Sequence, residues 1–411
     1  MGADAKQEIA AAAAALEASP ADLGDWLDLA TALSSAGRRD EAAVSFFELG
    51  KAASSLGQVA LAVACARWLS QSERDADAKT LVAQISETHC AGSEHIDRST
   101  RPRPPAPPRR AESPPEPKRP NKLEDAVKIA EVAVEAAIEA TKQRAGDKLP
   151  PTPLLSVLDA VEIRQLVGVT KLARRKAGAV VVDLGQPAST LFWLARGTVS
   201  VTRDDEELGE LRSGAFFGEI ALLSGTTRTA RVACVEECWL LEIPAKAVED
   251  LASKAPHLAT VLAEYARARL LANVMRTSEL FQRLDDDERK LLLGRFESRL
   301  VHQGEAIVRQ GEDNEELHVV VSGRCEVRDG DGLVANLTVG DGFGESSLLR
   351  RTPAAADVIA IENTVTLSLS RVKFDDIAVK HPELLAEVYK LLVERERQNQ
   401  AITHDATDLI I

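Results

Sequence analysis

The sequence predicts an α+β multidomain protein, in which an all-α N-terminal module of helical hairpins precedes two antiparallel β barrels with flanking helices. Length is the first observation, because 411 residues exceed one ordinary core and favour two to four domains of roughly 150 residues. Composition is the second. An Ala-rich helical pattern fills residues 1–90, whereas short Val- and Leu-rich runs punctuated by Gly follow residue 150. The third is that this later part repeats itself.

Five helices are predicted in the N-terminal module, over residues 5–17, 22–36, 40–55, 58–70 and 74–88. Apolar residues of the second and third helices follow the spacing of a tetratricopeptide unit, a helical hairpin of about 34 residues. They are Trp26, Leu29, Ala30, Leu33, Ala42, Phe46 and Leu49. Tetratricopeptide-like hairpins or another small helical bundle would fit this pattern. Stacked hairpins leave a concave face, which such proteins use to bind other proteins.

A Pro-rich stretch separates the helical module from the rest of the chain. Residues 101–120 hold nine of the 18 Pro and carry six basic residues against two acidic ones. Such a segment has little to bury and is expected to be an extended linker. The predicted divisions are therefore a helical module (1–90), a basic linker (91–120), a connecting helix (121–149), two β domains (150–275 and 276–400) and a tail (401–411).

The connecting helix, predicted over residues 122–143, carries one apolar stripe at a spacing of about 3.5 residues. The stripe consists of Leu123, Val127, Ala130, Val134, Ala137 and Thr141. The stripe could form the interface of a coiled-coil dimer, so a homo-oligomer is possible. Because it has only three heptads and is rich in Ala, packing on a neighbouring domain is favoured instead.

The C-terminal part repeats itself at an offset of 126 residues without a gap. Five Gly recur in this way, those at 178, 185, 197, 214 and 218 matching 304, 311, 323, 340 and 344. Residues 150–275 and 276–400 are therefore two copies of one domain. Each copy is predicted to have about eight strands and to form an antiparallel jelly-roll barrel with helical ends. A short helix is predicted before the strands, near residues 155–166 and 280–293, and helices are predicted after them, near residues 245–251 and 257–275 in the first copy and 373–377 and 382–396 in the second.

In the first copy, residues 217–230, which we call the cassette, interrupt the strand pattern. Gly218 allows close backbone approach, and residues 219–223 suit one helical turn, whose free N–H groups bind anions. Arg228 lies nine residues beyond Glu219 and can return across the turn to contact a phosphate. Glu219 suits such a site if it accepts hydrogen bonds from ribose hydroxyls. These residues suggest a nucleotide, although Arg228 could instead pair with a surface carboxylate.

The cassette resembles the phosphate-binding cassette of cyclic nucleotide-binding domains. The tandem arrangement resembles the regulatory subunits of cyclic AMP-dependent protein kinases and related bacterial receptor proteins. The resemblance implies that Glu219 binds the ribose 2′-hydroxyl and that Arg228 binds the cyclic phosphate. It implies that the backbone N–H groups of Ile220 and Ala221 bind the phosphate oxygens.

The ligand implied by the resemblance is cyclic AMP, with cyclic GMP as the alternative. In the family, a Thr at the position of Thr229 can hydrogen-bond the guanine amino group, although Thr also suits the start of a strand. Tyr265 could cap the base, but packing in a core is the simpler role for it.

The second copy departs from the motif. It keeps Gly344 and Glu345, but Ala354 stands where the phosphate Arg is expected. Leaving a buried phosphate without its cation costs about 2–5 kcal/mol, or about 30- to 4000-fold in affinity. This copy is therefore expected to be a structural or partner-docking barrel.

Several classes of function are disfavoured. A net charge of −14 argues against bulk nucleic-acid binding, and no helix-turn-helix pattern follows the second copy, which disfavours DNA regulation. No catalytic motif or metal-spaced His set is evident, so we expect no enzyme, catalytic residue, metal or cofactor. No run reaches about 18 apolar residues, which disfavours a membrane span. The five scattered Cys fit a cytoplasmic protein.

The sequence thus favours a cytoplasmic cyclic-nucleotide receptor that signals to a protein partner, a protein kinase being one candidate. The linker sequence Arg109-Arg110-Ala111-Glu112 departs from the inhibitor pattern of kinase regulatory subunits, because Glu112 occupies the critical position. The alternative is a non-catalytic adaptor, in which both barrels are structural and the helical module binds partners.

Overall fold

The computed structural model of the chain describes residues 2–99, 120–146, 148–203, 206–255, 257–264, 266, 294–330, 332–345, 351–380, 382, 389–390 and 393. These residues belong to two compact units. The first unit consists of Met1–Asp183, Ser189–Gly218 and Arg231–Leu262. The second consists of Leu184–Ala188, Glu219–Ala230 and Ala263–Ile411.

Five helices open the first unit, and each predicted helix is confirmed to within three residues at either end. They are α1 (Gly2–Ala18), α2 (Leu23–Ser35), α3 (Arg39–Ser55), α4 (Val59–Gln71) and α5 (Asp75–His89). Asp22 starts α2 because its carboxylate accepts the N–H groups of Gly24 at 2.7 Å and Asp25 at 3.1 Å. Consecutive helices pack on each other, and tetratricopeptide geometry stays a prediction.

The predicted connecting helix is α6 (Leu123–Arg144), which packs on α1 and α3 of the helical module. Its buried face contains the predicted stripe except Leu123, which is half-buried, and adds two alanines. The buried residues are Ala126, Val127, Ala130, Ala133, Val134, Ala137 and Thr141. The stripe therefore serves packing within this chain.

The segment before the Pro-rich linker pairs with the segment that follows α6. Asp97 N–H donates to Leu149 O at 2.8 Å, and Leu149 N–H donates to His95 O at 2.8 Å. Lys6 Nζ on α1 donates to Asn121 O at 3.0 Å, just before α6 begins. The linker therefore leaves from and returns to fixed points of the first unit.

A helix predicted over residues 155–166 is shifted, because α7 spans Ala160–Val169. Asp159 accepts the N–H groups of Val161 and Glu162, and the Glu162 carboxylate accepts the Asp159 N–H at 2.7 Å. This capping box fixes the helix start at Ala160. The predicted start was wrong because apolar spacing alone does not show where the backbone N–H groups find acceptors.

The first β domain has eight strands among its described residues. They are β1 (Lys171–Arg175), β2 (Val180–Val182), β3 (Thr190–Arg196), β4 (Thr198–Arg203), β5 (Glu206–Arg212), β6 (Phe216–Phe217), β7 (Arg231–Cys234) and β8 (Cys238–Pro244). They form two four-stranded antiparallel sheets, ordered β1-β8-β3-β6 and β2-β7-β4-β5. Helix α9 (Ala245–Lys254) follows, and residues 257–264 are helical.

The helical module packs directly on the first β domain, with α4 against β1, β3 and β8. Phe46 is fully buried, its ring 3.9 Å from that of Trp68 and 6.0 Å from that of Trp239 on β8. Arg196 at the end of β3 forms an ion pair with Asp28 on α2. The helical module and the first β domain therefore share one packed interface.

The second β domain repeats the first strand for strand. Its strands are β9 (Glu297–Val301), β10 (Ala306–Val308), β11 (Glu316–Ser322), β12 (Cys325–Asp329), β13 (Gly332–Leu337), β14 (Gly342–Phe343), β15 (Asp357–Ala360) and β16 (Thr364–Ser370), and α10 (Arg371–Lys380) follows. The sheets are ordered β14-β11-β16-β9 and β10-β15-β12-β13, which is the order of the first domain. The described strands of each copy remain in two sheets, and no closed barrel is found among them.

Several predictions fall outside the described residues. They include the Pro-rich linker up to residue 119, Tyr265, residues 267–275 of the helix after α9, the helix predicted over 280–293, most of the helix over 382–396 and the tail 401–411. Within the described ranges, no helix has the length and apolar character that crossing a membrane requires.

Phe46 provides a test of the packing between the helical module and the β domain. We expect Phe46→Ala to lower the free energy of unfolding of the first unit by about 3–5 kcal/mol, because it leaves a cavity against two Trp. All four Trp lie in the first unit, so urea unfolding followed by Trp fluorescence reports this change. Val44→Ala, on the same helix at a side chain that is 56% exposed, should change stability by less than about 0.5 kcal/mol. Equal effects of the two variants would contradict the packing described.

Candidate functional site

The cassette begins where β6 ends and the chain reverses direction at Gly218. Gly218 has φ = +88°, in the left-handed region that Gly adopts at little cost. Helix α8 (Glu219–Ser224) follows immediately, which confirms the predicted helical turn. Ile220 and Ala221 occupy the first turn of this helix, where their predicted backbone role requires them to be.

The chain returns from α8 through residues 225–227 to Arg228. Thr226 N–H donates to Ala221 O at 3.1 Å, which ties the returning chain to α8. Arg228 N–H donates to Gln186 O at 2.8 Å, and Gly185 N–H donates to Arg228 O at 2.9 Å. The segment 184–188 therefore fixes the backbone of Arg228.

Glu219 and Arg228 are both buried, with relative exposures of 1% and 6%. Across the described part of the chain they are the only buried Glu and the only buried Arg. Burial lowers the pKa of the Arg228 guanidinium below its usual value, and the nearby charge of Glu219 opposes this shift. Burying opposite charges is costly, and clusters of this kind are concentrated at functional sites.

The other predicted binding residues are adjacent to Glu219 and Arg228 in the sequence and differ in burial. Ala221 is buried at 3% exposure, and Ile220 and Thr229 are half-buried. Thr229 directly follows Arg228, at the start of the chain that leads into β7. The predicted residues of the first copy thus lie in one short segment, in which Glu219 is close enough to Arg228 to affect its pKa.

The second copy preserves the backbone hydrogen bonds that Arg228 makes in the first. Ala354 N–H donates to Glu312 O at 2.9 Å, and Gly311 N–H donates to Ala354 O at 2.9 Å. These are the bonds of Arg228 shifted by 126 residues. Ala354 is as buried as Arg228, at 6% exposure, but its methyl side chain brings no guanidinium to the site.

The Phe-Gly-Glu turn of the second copy is preserved less fully. Gly344 has φ = +85°, and a Cβ there would lie 2.5 Å from Glu316 O, so no larger residue fits. Asn314 Nδ2 donates to Gly344 O at 3.2 Å. Glu345 is half-buried, in contrast to Glu219, and Arg351 is exposed. Arg350, the other nearby cation, lies outside the described residues.

His318, which the sequence analysis does not single out, is a packing residue in the core of the second copy. His318 occupies the position of Phe192 at the 126-residue offset, and its ring stacks on Phe343 at 4.9 Å, as Phe192 stacks on Phe217 at 5.0 Å. It is 2% exposed, and burial lowers its pKa to about 4. Aligning the two copies would have identified it as a core residue.

The comparison with protein families finds the cyclic nucleotide-binding domain twice, over residues 173–255 and 298–381. Each match falls within one of the two β domains, so the repeat and its resemblance are confirmed. Among curated proteins, the cAMP-dependent protein kinase regulatory subunit of Candida albicans is 25% identical over 238 residues, which cover 57% of this chain and 50% of that protein. The cGMP-dependent protein kinase 2 of Mus musculus is 25% identical over 245 residues, covering 58% and 31%. The chain thus spans about half or less of these relatives.

Two solved structures illustrate the similarity. The regulatory domain of Toxoplasma gondii PKA with cAMP is 24% identical, covering 60% of this chain and 92% of that one, with a TM-score of 0.29. The catabolite activator protein of Thermus thermophilus is 31% identical, covering 32% and 63%, with a TM-score of 0.29.

His318 predicts a pH dependence of stability. Because folding holds its pKa near 4, below the unfolded value of 6.5, its contribution is complete above about pH 6.5 and is lost as pH falls towards 4. Between pH 7 and pH 5 this loss is about 2 kcal/mol. We expect His318→Phe, which restores the residue of the first copy, to remove this part of the pH dependence. Urea unfolding at both pH values, followed by far-UV circular dichroism, measures it. An unchanged pH dependence in the variant would contradict the prediction.

Proposed function

We propose that this chain, which carries two tandem cyclic nucleotide-binding domains homologous to those of kinase regulatory subunits, is a cytoplasmic, non-enzymatic cyclic-nucleotide receptor. Its first domain would bind the nucleotide and pass a conformational change to a protein partner. The observation that carries this proposal is the buried pair of Glu219 and Arg228, held at the two ends of one short backbone segment.

The two charges suit complementary parts of one ligand. Arg228 can form charge-assisted hydrogen bonds with a phosphate, joined by the backbone N–H groups of Ile220 and Ala221 in the first turn of α8. Glu219 accepts hydrogen bonds only, so it suits a ribose hydroxyl rather than the phosphate. A cyclic nucleotide carries a single negative phosphate charge, which Arg228 alone neutralises.

The second domain has a different role in this proposal. Ala354 keeps the backbone hydrogen bonds of Arg228 but supplies no cation, so nucleotide binding there would be weak. In this proposal the second domain has a structural role or binds a protein partner, and it does not act as the nucleotide receptor. The relatives named for cAMP-dependent and cGMP-dependent protein kinases support a protein kinase as the partner.

The adaptor function remains the second candidate, and the loss of the cation in the second domain favours it. In that case capture of a partner by the full chain would be the same with and without cyclic nucleotide. A kinase that is captured by the full chain and released by cyclic nucleotide would support the receptor instead.

Arg228→Ala tests the site directly. We expect the affinity for cyclic AMP to fall by about 30- to 4000-fold, because the phosphate would enter a buried site without its cation. Isothermal titration calorimetry on the full chain measures it. Arg231→Ala is the matched control, because Arg231 lies three residues further on, is exposed and pairs with Asp183. The absence of heat from either cyclic nucleotide on the unmodified chain would refute the proposal.

Thr229 tests the choice of base. If its hydroxyl accepts from the guanine amino group, Thr229→Ala should weaken cyclic GMP binding by about 5- to 10-fold, since one hydrogen bond is lost, and should leave cyclic AMP binding nearly unchanged. Competition between the two nucleotides on wild type and variant gives both affinities. Equal losses for both nucleotides would show that Thr229 does not select the base.

A further inference from the structure

The returning chain of the cassette contacts two turns of the second β domain, and all these residues belong to the second unit. Asn363 Nδ2 donates to Gly225 O at 3.1 Å. The hydroxyls of Thr226 and Ser322 lie 3.2 Å apart, and Thr227 Oγ1 donates to Glu362 Oε2 at 3.4 Å. We call residues 322–324 and 362–363 the docking edge.

The docking edge is held in place by its own hydrogen bonds. Asn363 Oδ1 accepts the Gln303 N–H at 3.1 Å, which orients the amide so that its NH₂ group points to Gly225. Glu362 accepts Arg324 Nε at 3.2 Å. Gly323 packs so closely that a Cβ there would lie 2.6 Å from Asn363 O. These hydrogen bonds and this close packing therefore fix the positions of the side chains that contact the cassette.

The contacts fall on the part of the cassette that sets its geometry. Residues 225–227 join the end of α8 to Arg228, so their position determines how the two halves of the site face each other. Thr226 is 6% exposed and Ser322 is fully buried. Removing one hydroxyl would leave the other buried without this partner, which makes the contact specific.

The equivalent edge of the first β domain forms its ion pairs within the first unit. At the 126-residue offset Ser322 corresponds to Arg196, and Arg196 pairs with Asp28 of the helical module within the first unit. Asn363 corresponds to Glu237, which pairs with Arg174. At these two positions the second copy thus has neutral hydrogen-bonding side chains where the first has charges. They suit the backbone carbonyl and the hydroxyls of the cassette.

We infer that the docking edge positions the nucleotide cassette of the first domain, with Ser322 and Asn363 as positioning residues for its ligand. This inference rests on the proposed function. The second domain, although it lacks the phosphate cation, would then contribute to nucleotide binding in the first domain. Its contacts with residues 225–227 pre-organise the cassette, which reduces the entropy lost on binding.

The test is calorimetry with cyclic AMP on the full chain. We expect Ser322→Ala, Thr226→Ala and Asn363→Asp each to weaken binding by about 3- to 10-fold, the size of one lost hydrogen bond. Asn363→Asp keeps the acceptor for Gln303 and removes the donor to Gly225. The double variant Thr226→Ala/Ser322→Ala should bind no more weakly than the weaker single variant, because both remove one contact. Arg328→Ala, which breaks an ion pair with Glu326 elsewhere in the second domain, is the control.

Hydrogen exchange separates this inference from the proposed function. In the ligand-free chain, the Thr226 amide should exchange faster in Ser322→Ala and Asn363→Asp than in Arg328→Ala, whether or not nucleotide binds. If wild type binds cyclic AMP and the edge variants bind as Arg328→Ala does, the inference is overturned and the proposed function stands. Tighter binding by the edge variants would overturn it too. If wild type does not bind cyclic AMP, the proposed function is refuted. If exchange of the Thr226 amide is the same in the edge variants as in Arg328→Ala, the inference that the docking edge positions the cassette is refuted.

Discussion

The burial of two opposite charges, Glu219 and Arg228, is the constraint on which the candidate site depends. Charged groups are stable away from water only when their surroundings hold them in a suitable geometry. Here the backbone meets this need. Gly218, with φ in the left-handed region, precedes α8, and the segment 184–188 forms hydrogen bonds with both the N–H and the C=O of Arg228. The cassette is therefore shaped before any ligand arrives.

The second copy shows which part of this arrangement folding requires. Ala354 makes the same two backbone bonds as Arg228 and is buried to the same extent, so the guanidinium is not needed to form the turn. A side chain that folding does not require, and whose burial is costly, is best explained by a ligand. The difference between Phe192 and its equivalent His318 is of another kind, because both rings stack in the core and His318 only adds a titratable group.

Sequence patterns predicted what depends on local spacing. The Gly repeat predicted the second domain, and the segment from Glu219 to Arg228 predicted the helical turn and its returning chain. Contacts between distant parts of the chain could not be predicted in this way. The apolar spacing around Phe46 showed that it is buried but not that Trp239 covers it. The partner of Asn363 lies 138 residues earlier, at Gly225, and no periodicity relates the two.

The fixed points on either side of the Pro-rich linker have a consequence for its length. Asp97 and Leu149 are joined by a backbone hydrogen bond of 2.8 Å, and Lys6 Nζ donates to Asn121 O, so residues 97 and 121 on either side of the linker are both anchored in the first unit. The entropy of closing a loop grows only with the logarithm of its length, so doubling the loop costs about 0.6 kcal/mol. The first unit should therefore tolerate insertions between these two anchored residues at little cost in stability.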